Sequence, residues 1–304
     1  MRDSARTNKQ RYRIRHPSAN GSGLSRRIPT FGRMCSPPPE AASARIVRMT
    51  DSQPLVVAFD LDDTLAPSKS PVNPRVAQQL VDLARRVEVA IISGGQISQF
   101  RSQVVDNLPD AADALGHIHL LPTCGTAYYR HNGDEFTLLY SRDLTDDEKT
   151  RALAAVEEEA KRLGYWETDT WGPILEDRGS QITFSALGQA APVDAKKAWD
   201  PTSEKKSALR DAVAARVPDL EVRSGGSTSV DITRKGIDKA YGMNQLATET
   251  GIALDGMLFY GDRLDEDGND YPVLAMGVAC VAVDGWEDTA DKLDILIAQL
   301  PLRD

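Results

Sequence analysis

Cysteine is scarce in this chain, and the cysteines it has do not pair. Cys35, Cys124 and Cys280 are odd in number and far apart, with no CxxC among them. That excludes a disulfide-stapled scaffold and a thiolate zinc site, and it predicts a reducing, cytoplasmic setting. Histidine is also sparse, at four residues. Only His117 and His119 are close, and an HxH on a strand reads as structural before it reads as metal-ligating. Long apolar runs are missing too. The longest uncharged stretch toward the C-terminus, Tyr271 to Val283, contains Pro272 and falls short of the about 18 residues a membrane span requires, so a soluble protein is expected. No GxSxG elbow, GxxxxGK[ST] loop, GxGxxG or HExxH occurs, which removes the usual signatures of serine hydrolases, P-loop enzymes, dinucleotide-binding folds and zinc proteases.

Charge is present but unevenly spread. The formal net charge is −9, yet residues 1–50 hold ten Arg and one Lys against Asp3 and Glu40, or +9, which leaves −18 for residues 51–304. An acidic body argues against nucleic acid as the main partner. The basic first fifty residues are rich in Arg, Ser and Pro and lack apolar periodicity, so they read as a disordered tail or an over-extended reading frame, with Met34 and Met49 as alternative starts. They show no amphipathic pattern of a transit peptide.

From residue 55 onward, short apolar runs alternate with helical stretches, the pattern of a doubly wound parallel α/β sheet with covering helices. Strands are expected at Leu55–Phe59, Val87–Ile92 and His117–Leu121, and helices at Pro74–Arg86 and Gln96–Asn107. A hairpin is expected around His131-Asn132-Gly133-Asp134. Thr145-Asp146-Asp147-Glu148 is a capping box opening a helix to Leu163. Strands at Gln181–Phe184, Glu221–Arg223 and Thr228–Thr233 and a helix at Ser203–Val217 then give an α+β order. The first pattern resumes with a helix capped by Asp238 and ended by Gly251, strands at Met257–Tyr260 and Val278–Val283, and a closing helix from Trp286. The expected organisation is a tail over 1–50, core over 51–141, an inserted α+β cap over 142–232, and core again over 233–304.

The most informative segment is Val56-Val57-Ala58-Phe59-Asp60-Leu61-Asp62-Asp63-Thr64-Leu65, an apolar run that ends abruptly in carboxylates. Such a cluster costs stability unless a cation sits in it or one carboxyl stays protonated. Asp60, Asp62 and Thr64 follow the first strand, Ser93 the second, Lys239 opens a helix, and Asp262, Asn269 and Asp270 share a loop after a later strand. In open parallel sheets ligands bind beyond the carboxyl ends of strands, so these residues can share one crevice. Asp60, Asp62, Asp262, Asn269 and Asp270 offer hard oxygen ligands suited to Mg2+ with a substrate phosphate. Ser93 supplies a hydrogen bond to a phosphoryl oxygen, and Lys239 a point charge. Asp60 is then the nucleophile and Asp62 the acid and base. The run Asp265 to Asp270 is no EF-hand: counting from Asp265, Asp270 and Met276 stand where Gly and Glu are needed.

These motifs resemble those of the haloacid dehalogenase (HAD) superfamily of phosphotransferases: Asp60-Leu61-Asp62-Asp63-Thr64 for DxDx[TV], then Ser93, Lys239, and Gly261-Asp262 through Gly268-Asn269-Asp270. The resemblance extends over roughly residues 55–300 to the subgroup with an inserted α+β cap, and within it to eukaryotic-type phosphomannomutases. Gly236-Ile237-Asp238-Lys239 is similar to that family's G-W-D-K. Gly225-Gly226-Ser227-Thr228-Ser229-Val230-Asp231 is similar to its G-G-x-I-S-F-D, and Glu176-Asp177-Arg178-Gly179-Ser180 to its E-F-R-N-G. By this likeness Thr64, Gly94, Arg178, Ser229 and Asp231 bind substrate.

The chain departs from the family at one position. Where those mutases carry a second phosphate-binding Arg in an I-G-R run, this chain has Leu187-Gly188-Gln189, and a neutral Gln189 is a weaker clamp. Arg223 is the nearby cation that would compensate. The expectation is therefore a Mg2+-dependent phosphohydrolase acting on a small phosphorylated metabolite, a sugar phosphate, through an aspartyl-phosphate. A phosphohexomutase using the same chemistry is the second reading, and an inactive phosphosugar-binding protein the third.

Overall fold

The computed structural model describes residues 53–225 and 228–303. The basic tail over 1–50 lies outside the described residues, as do Gly226 and Ser227 of the Gly-rich segment.

In chain order the elements are β1 (Val56–Phe59), α1 (Pro74–Ala84), β2 (Glu88–Ile92), α2 (Ile97–Gln103), α3 (Ala112–Leu115), β3 (Ile118–Leu121), β4 (Ala127–His131) and β5 (Phe136–Ser141), followed by α4 (Asp146–Leu163), β6 (Leu175–Asp177), β7 (Gln181–Ser185), α5 (Val193–Trp199), α6 (Glu204–Arg216), β8 (Leu220–Ser224) and β9 (Ser229–Arg234), and last α7 (Lys239–Thr250), β10 (Met257–Gly261), α8 (Tyr271–Ala275), β11 (Ala279–Ala282) and α9 (Trp286–Gln299). They build two sheets. The larger has seven strands in the order β11-β10-β1-β2-β3-β4-β5, parallel from β11 to β3 and completed by the antiparallel β4–β5 hairpin. The smaller is the antiparallel β6-β7-β9-β8.

The side-chain alternation of β1 explains why both faces of the large sheet are covered. Val57 and Phe59 join one apolar cluster with Leu80 of α1 and Leu293 of α9. Val56 and Ala58 point the other way, into a cluster with Met243 and Leu246 of α7. The small sheet has one apolar face, where Ile182, Phe184, Val230 and Ile232 pack with Val156 of α4 and Val213 of α6. Its alternate residues form a polar face.

Local signals act as expected where they are strong. The Thr145 capping box forms, with Thr145 Oγ1 accepting from Glu148 N–H and the Glu148 carboxylate accepting from Thr145 N–H at 2.7 Å. Gly251 ends α7 in the left-handed region at φ 70°. Four elements have no counterpart in the sequence reading: α3, β6, α5 and α8. They are short, at four, three, seven and five residues, too brief for a periodicity to develop.

His119 is structural. It lies 1% exposed between Glu88 Oε2, at 2.7 Å, and the Tyr128 hydroxyl, at 2.5 Å. Burial lowers its pKa, so the neutral ring donates from Nε2 to Glu88 and accepts at Nδ1 from Tyr128. Arg303 donates to the same carboxylate at 2.8 Å and ties the end of the chain to β2. Among the described residues no helix is long and apolar enough to cross a membrane.

Candidate active site

The carboxyl ends of β1, β2 and β10 open at one edge of the large sheet, and α7 starts beside them. Asp60 leaves β1 with its N–H donating to the Tyr260 carbonyl at 2.9 Å, so parallel pairing with β10 continues up to the acidic turn. Gly261 then ends β10 where a Cβ would lie 2.5 Å from Asp270 Oδ2. Only glycine lets the loop fold Asp270 back onto the strand end.

The centre is a buried ion cluster. Lys239 Nζ lies 2.6 Å from Asp60 Oδ1 and 2.5 Å from Asp270 Oδ1, with the three side chains 2%, 5% and 0% exposed. The second oxygen of Asp270 accepts from Arg263 N–H at 3.0 Å. Burial pushes Asp60 well above the ordinary carboxylate range; Lys239 opposes that, and Asp270 adds to it. Burial alone would strip the proton from Lys239, but its two carboxylates hold it on, and the net shift is upward.

Asp262 completes a set of three carboxylates, with Asp60 and Asp270, whose oxygens lie within 4.8 Å of one another. Burial and Asp270 raise its pKa. Thr64, fully buried, donates to Asp262 Oδ1 at 3.4 Å and so links the β1 turn to the β10 loop. With all three carboxylates ionised, one ammonium leaves the cluster two charges negative. The donors are all hard oxygen, so the set fits a divalent cation.

Two other residues were grouped with the ligands by sequence. The Asp62 carboxylate is outside the set of three, accepting from Lys69 N–H at 2.8 Å, Gln99 Nε2 at 2.8 Å and Gln103 Nε2 at 3.3 Å. Asn269 is exposed.

Ser93 and Gly94 sit where β2 ends. Ser93 is 5% exposed, and its Oγ accepts from Gly95 N–H at 3.2 Å. The Gly94 carbonyl takes Arg178 Nη1 at 3.2 Å, which brings the small sheet down onto this loop. Arg178 is paired with Glu176 at 2.7 Å.

The polar face of the small sheet supplies the other expected residues. Thr183 lies opposite Asp231 and donates to its Oδ1 at 2.7 Å, while Ser185 lies opposite Ser229 with hydroxyls 3.0 Å apart. Burial raises the Asp231 pKa, and Arg178 pulls it down. Gln189 donates to Ser185 Oγ at 2.7 Å and accepts from Lys69 Nζ at 2.5 Å, a second link between the two sheets' segments. Arg223, expected to compensate at Gln189, instead pairs loosely with Glu221 and Asp238, at 3.6 and 3.7 Å.

Sequence reasoning missed Gln99 and Gln103 beside Asp62, Gln181 and Thr183 beside Asp231, and Lys69 and Lys196, which donate to the Gln189 side-chain oxygen and backbone carbonyl. The two glutamines of α2 stand four apart, the spacing that presents both on one helix face. That was the available signal for a shared partner.

The chain is similar to several known proteins. The family model for eukaryotic phosphomannomutase matches residues 76–299. The phosphomannomutase of Encephalitozoon cuniculi (strain GB-M1) is 23% identical over 273 residues, covering 84% of this chain and 98% of that protein. Among solved structures, an N-terminally truncated Plasmodium falciparum IMP-nucleotidase superposes with a TM-score of 0.60 at 12% identity, over 79% of this chain and 69% of that one. A haloacid dehalogenase-like hydrolase from Bacteroides thetaiotaomicron gives a TM-score of 0.52 at 15% identity, over 79% and 98%.

Proposed function

The chain belongs to the eukaryotic phosphomannomutase family of the HAD superfamily, and from that premise we propose that it is a Mg2+-dependent phosphohydrolase of a sugar phosphate. The observation that carries this reading is the Asp60–Lys239–Asp270 cluster beside Asp262: a nucleophile at a strand end, a fixed cation, and a hard-oxygen set for a divalent ion. We read residues 142–232 as a cap over a core of 51–141 and 233–304, and the separated cysteines support a cytoplasmic setting.

In this mechanism an Asp60 carboxylate oxygen attacks phosphorus and the bond from phosphorus to the sugar oxygen breaks. Asp62 gives that oxygen its proton. In the second half Asp62 takes a proton from water, whose oxygen attacks the aspartyl-phosphate and frees inorganic phosphate. Lys239 holds the Asp60 carboxylate in place, and Ser93 with the Gly94 loop faces the transferring group. Asp60, Asp262 and Asp270 would hold Mg2+, which when bound would supply charge neutralisation between these acids and the incoming phosphate. Arg178, Ser229 and Asp231 meet the sugar, and Gln189 lies at its far end. The cap excludes water and selects the leaving group.

A second reading, a phosphohexomutase that returns the phosphoryl group to another hydroxyl, is favoured by the family match over residues 76–299. Phosphate release from a panel of sugar phosphates with Mg2+, for the native chain and Asp60→Asn, tests the first reading. Turnover should fall at least about a thousandfold in the variant; an active Asp60→Asn removes Asp60 as nucleophile. Isomerisation of mannose 1-phosphate outpacing phosphate release would select the mutase.

A further inference from the structure

Three buried hydroxyls that the mechanism does not use meet where the small-sheet segment touches the large sheet's loops. Thr123 and Thr126 belong to the turn after β3, and Ser180 to the turn between β6 and β7; they are 3%, 1% and 4% exposed. Thr126 Oγ1 lies 2.5 Å from Thr123 Oγ1, 2.5 Å from Ser180 Oγ and 2.8 Å from the Thr123 carbonyl, and Ser180 Oγ is 3.1 Å from Thr123 Oγ1. A hydroxyl has one proton to give and two lone pairs. The carbonyl can only accept, so Thr126 donates to it and accepts from the other two hydroxyls at the two shortest contacts.

The turn that carries Thr126 also grips the loop after β2. Thr123 N–H donates to the Gly95 carbonyl and Cys124 N–H to the Ser93 carbonyl, both at 2.9 Å. Thr123 and Cys124 make these bonds from the left-handed region, at φ 47° and 55°, where non-glycine residues stay only when their surroundings hold them. On the other side, Ser180 stands two residues from Arg178, whose Nη1 donates to the Gly94 carbonyl at 3.2 Å. The contacts therefore close a ring from Gly94 through Arg178, Ser180, Thr126 and Thr123 back to Gly95. Glu176 pairs with Arg178 at 2.7 Å, but it stands on the same segment and by itself cannot fix Arg178 against the β2 loop.

We propose that Ser180 is a positioning residue: through its bond to Thr126 it fixes Arg178 against the Ser93–Gly95 loop and so sets how tightly a phosphorylated sugar is held. Ser180 touches no substrate in this scheme. Its hydroxyl registers the small-sheet segment on the same turn that registers the β2 loop, and a buried network of this kind has little slack once every member is bonded. This rests on the reading that the crevice holds a sugar phosphate and that Arg178 meets it.

The test is steady-state phosphate release from mannose 1-phosphate, glucose 1-phosphate and glucose 6-phosphate with Mg2+. On the probe that the native chain turns over best, Ser180→Ala should raise KM about tenfold and leave kcat within about twofold, the mark of lost binding rather than lost chemistry. In an Arg178→Ala background the same substitution should change KM by less than about twofold, because the residue it acts through is gone. Thr126→Val should reproduce the Ser180→Ala effect, and Thr126→Ser should keep the native KM. An unchanged KM in Ser180→Ala, an equal loss in both backgrounds, or a Thr126→Ser chain as impaired as Thr126→Val overturns the positioning role while leaving the sugar-phosphate reading standing. Arg178→Ala with the native KM removes Arg178 from the substrate site, and the inference with it. No phosphate release from any probe by the native chain overturns both readings.

Discussion

The backbone N–H of Lys69 donates to Asp62 Oδ1 over 2.8 Å, while the same residue's ammonium reaches Gln189 on the other side of the crevice. One residue therefore ties the candidate acid to the Gln189 segment. Lys69 does this from the left-handed region, at φ 58°, a conformation that costs a non-glycine residue of order 1 kcal/mol and that the turn must enforce.

The grip on Asp62 can be loosened from a distance. A Cβ on Gly95 would lie 2.2 Å from Gln99 Oε1, the end of a flexible side chain. Gly95→Ala should push the Gln99 amide off Asp62 Oδ2 and misplace the acid. Turnover should fall about tenfold, with thermal stability changed by less than about 1 kcal/mol. Steady-state kinetics and a thermal melt check this; unchanged kcat would show that Gln99 does not position Asp62.

Among the described residues Lys239 is the sole cation bonded to Asp60, in a pocket where burial already raises that carboxyl. Lys239→Met would leave Asp60 and Asp270 uncompensated, costing about 3–5 kcal/mol at pH 8 with chelator present. The sign with pH follows from the raised Asp60 pKa. A carboxyl whose folded pKa lies above its unfolded one contributes most below the unfolded value and less as pH rises. The deficit should therefore shrink at pH 5.5. Urea midpoints at the two pH values decide; an equal deficit at both would mean the loss is one of packing.

Glu88 behaves in the opposite way. Burial raises its pKa, but hydrogen bonds from His119, Arg303 and His117 outweigh that and hold it at about 2, against an ordinary 4.5. Its contribution is present above pH 4.5 and is lost as pH falls toward 2. Glu88→Gln should cost up to about 3 kcal/mol at pH 7, and progressively less below pH 4.5. Parallel denaturation curves with a constant gap down to pH 3 would contradict it.

The candidate nucleophile, the cation and the acidic loop were legible in the sequence because each sits at the end of a strand or the start of a helix. At such places an apolar run breaks into charge within one or two residues. Asp60, Lys239, Asp262 and Asp270 converge as that pattern implies. Asp62 carried the same signal, yet its carboxylate is outside that set and accepts from two amides of α2 that no local pattern connects to it. Lys196 was illegible for a related reason. It sits in a seven-residue helix next to Lys197, where one lysine looks like the other until the fold shows which is turned inward.

The place of β1 between β2 and β10 bears on how the protein is made. Among the described residues β1 is one of the first segments to leave the ribosome, yet its partner on one side, Met257–Gly261, lies about 200 residues later. Until that segment emerges, one edge of an apolar strand stays unpaired while the whole α+β segment is synthesised. An open edge of this kind invites pairing with other chains. A chaperone that shields β1 during translation would thus be expected to raise the soluble yield more than any mutation in the finished site.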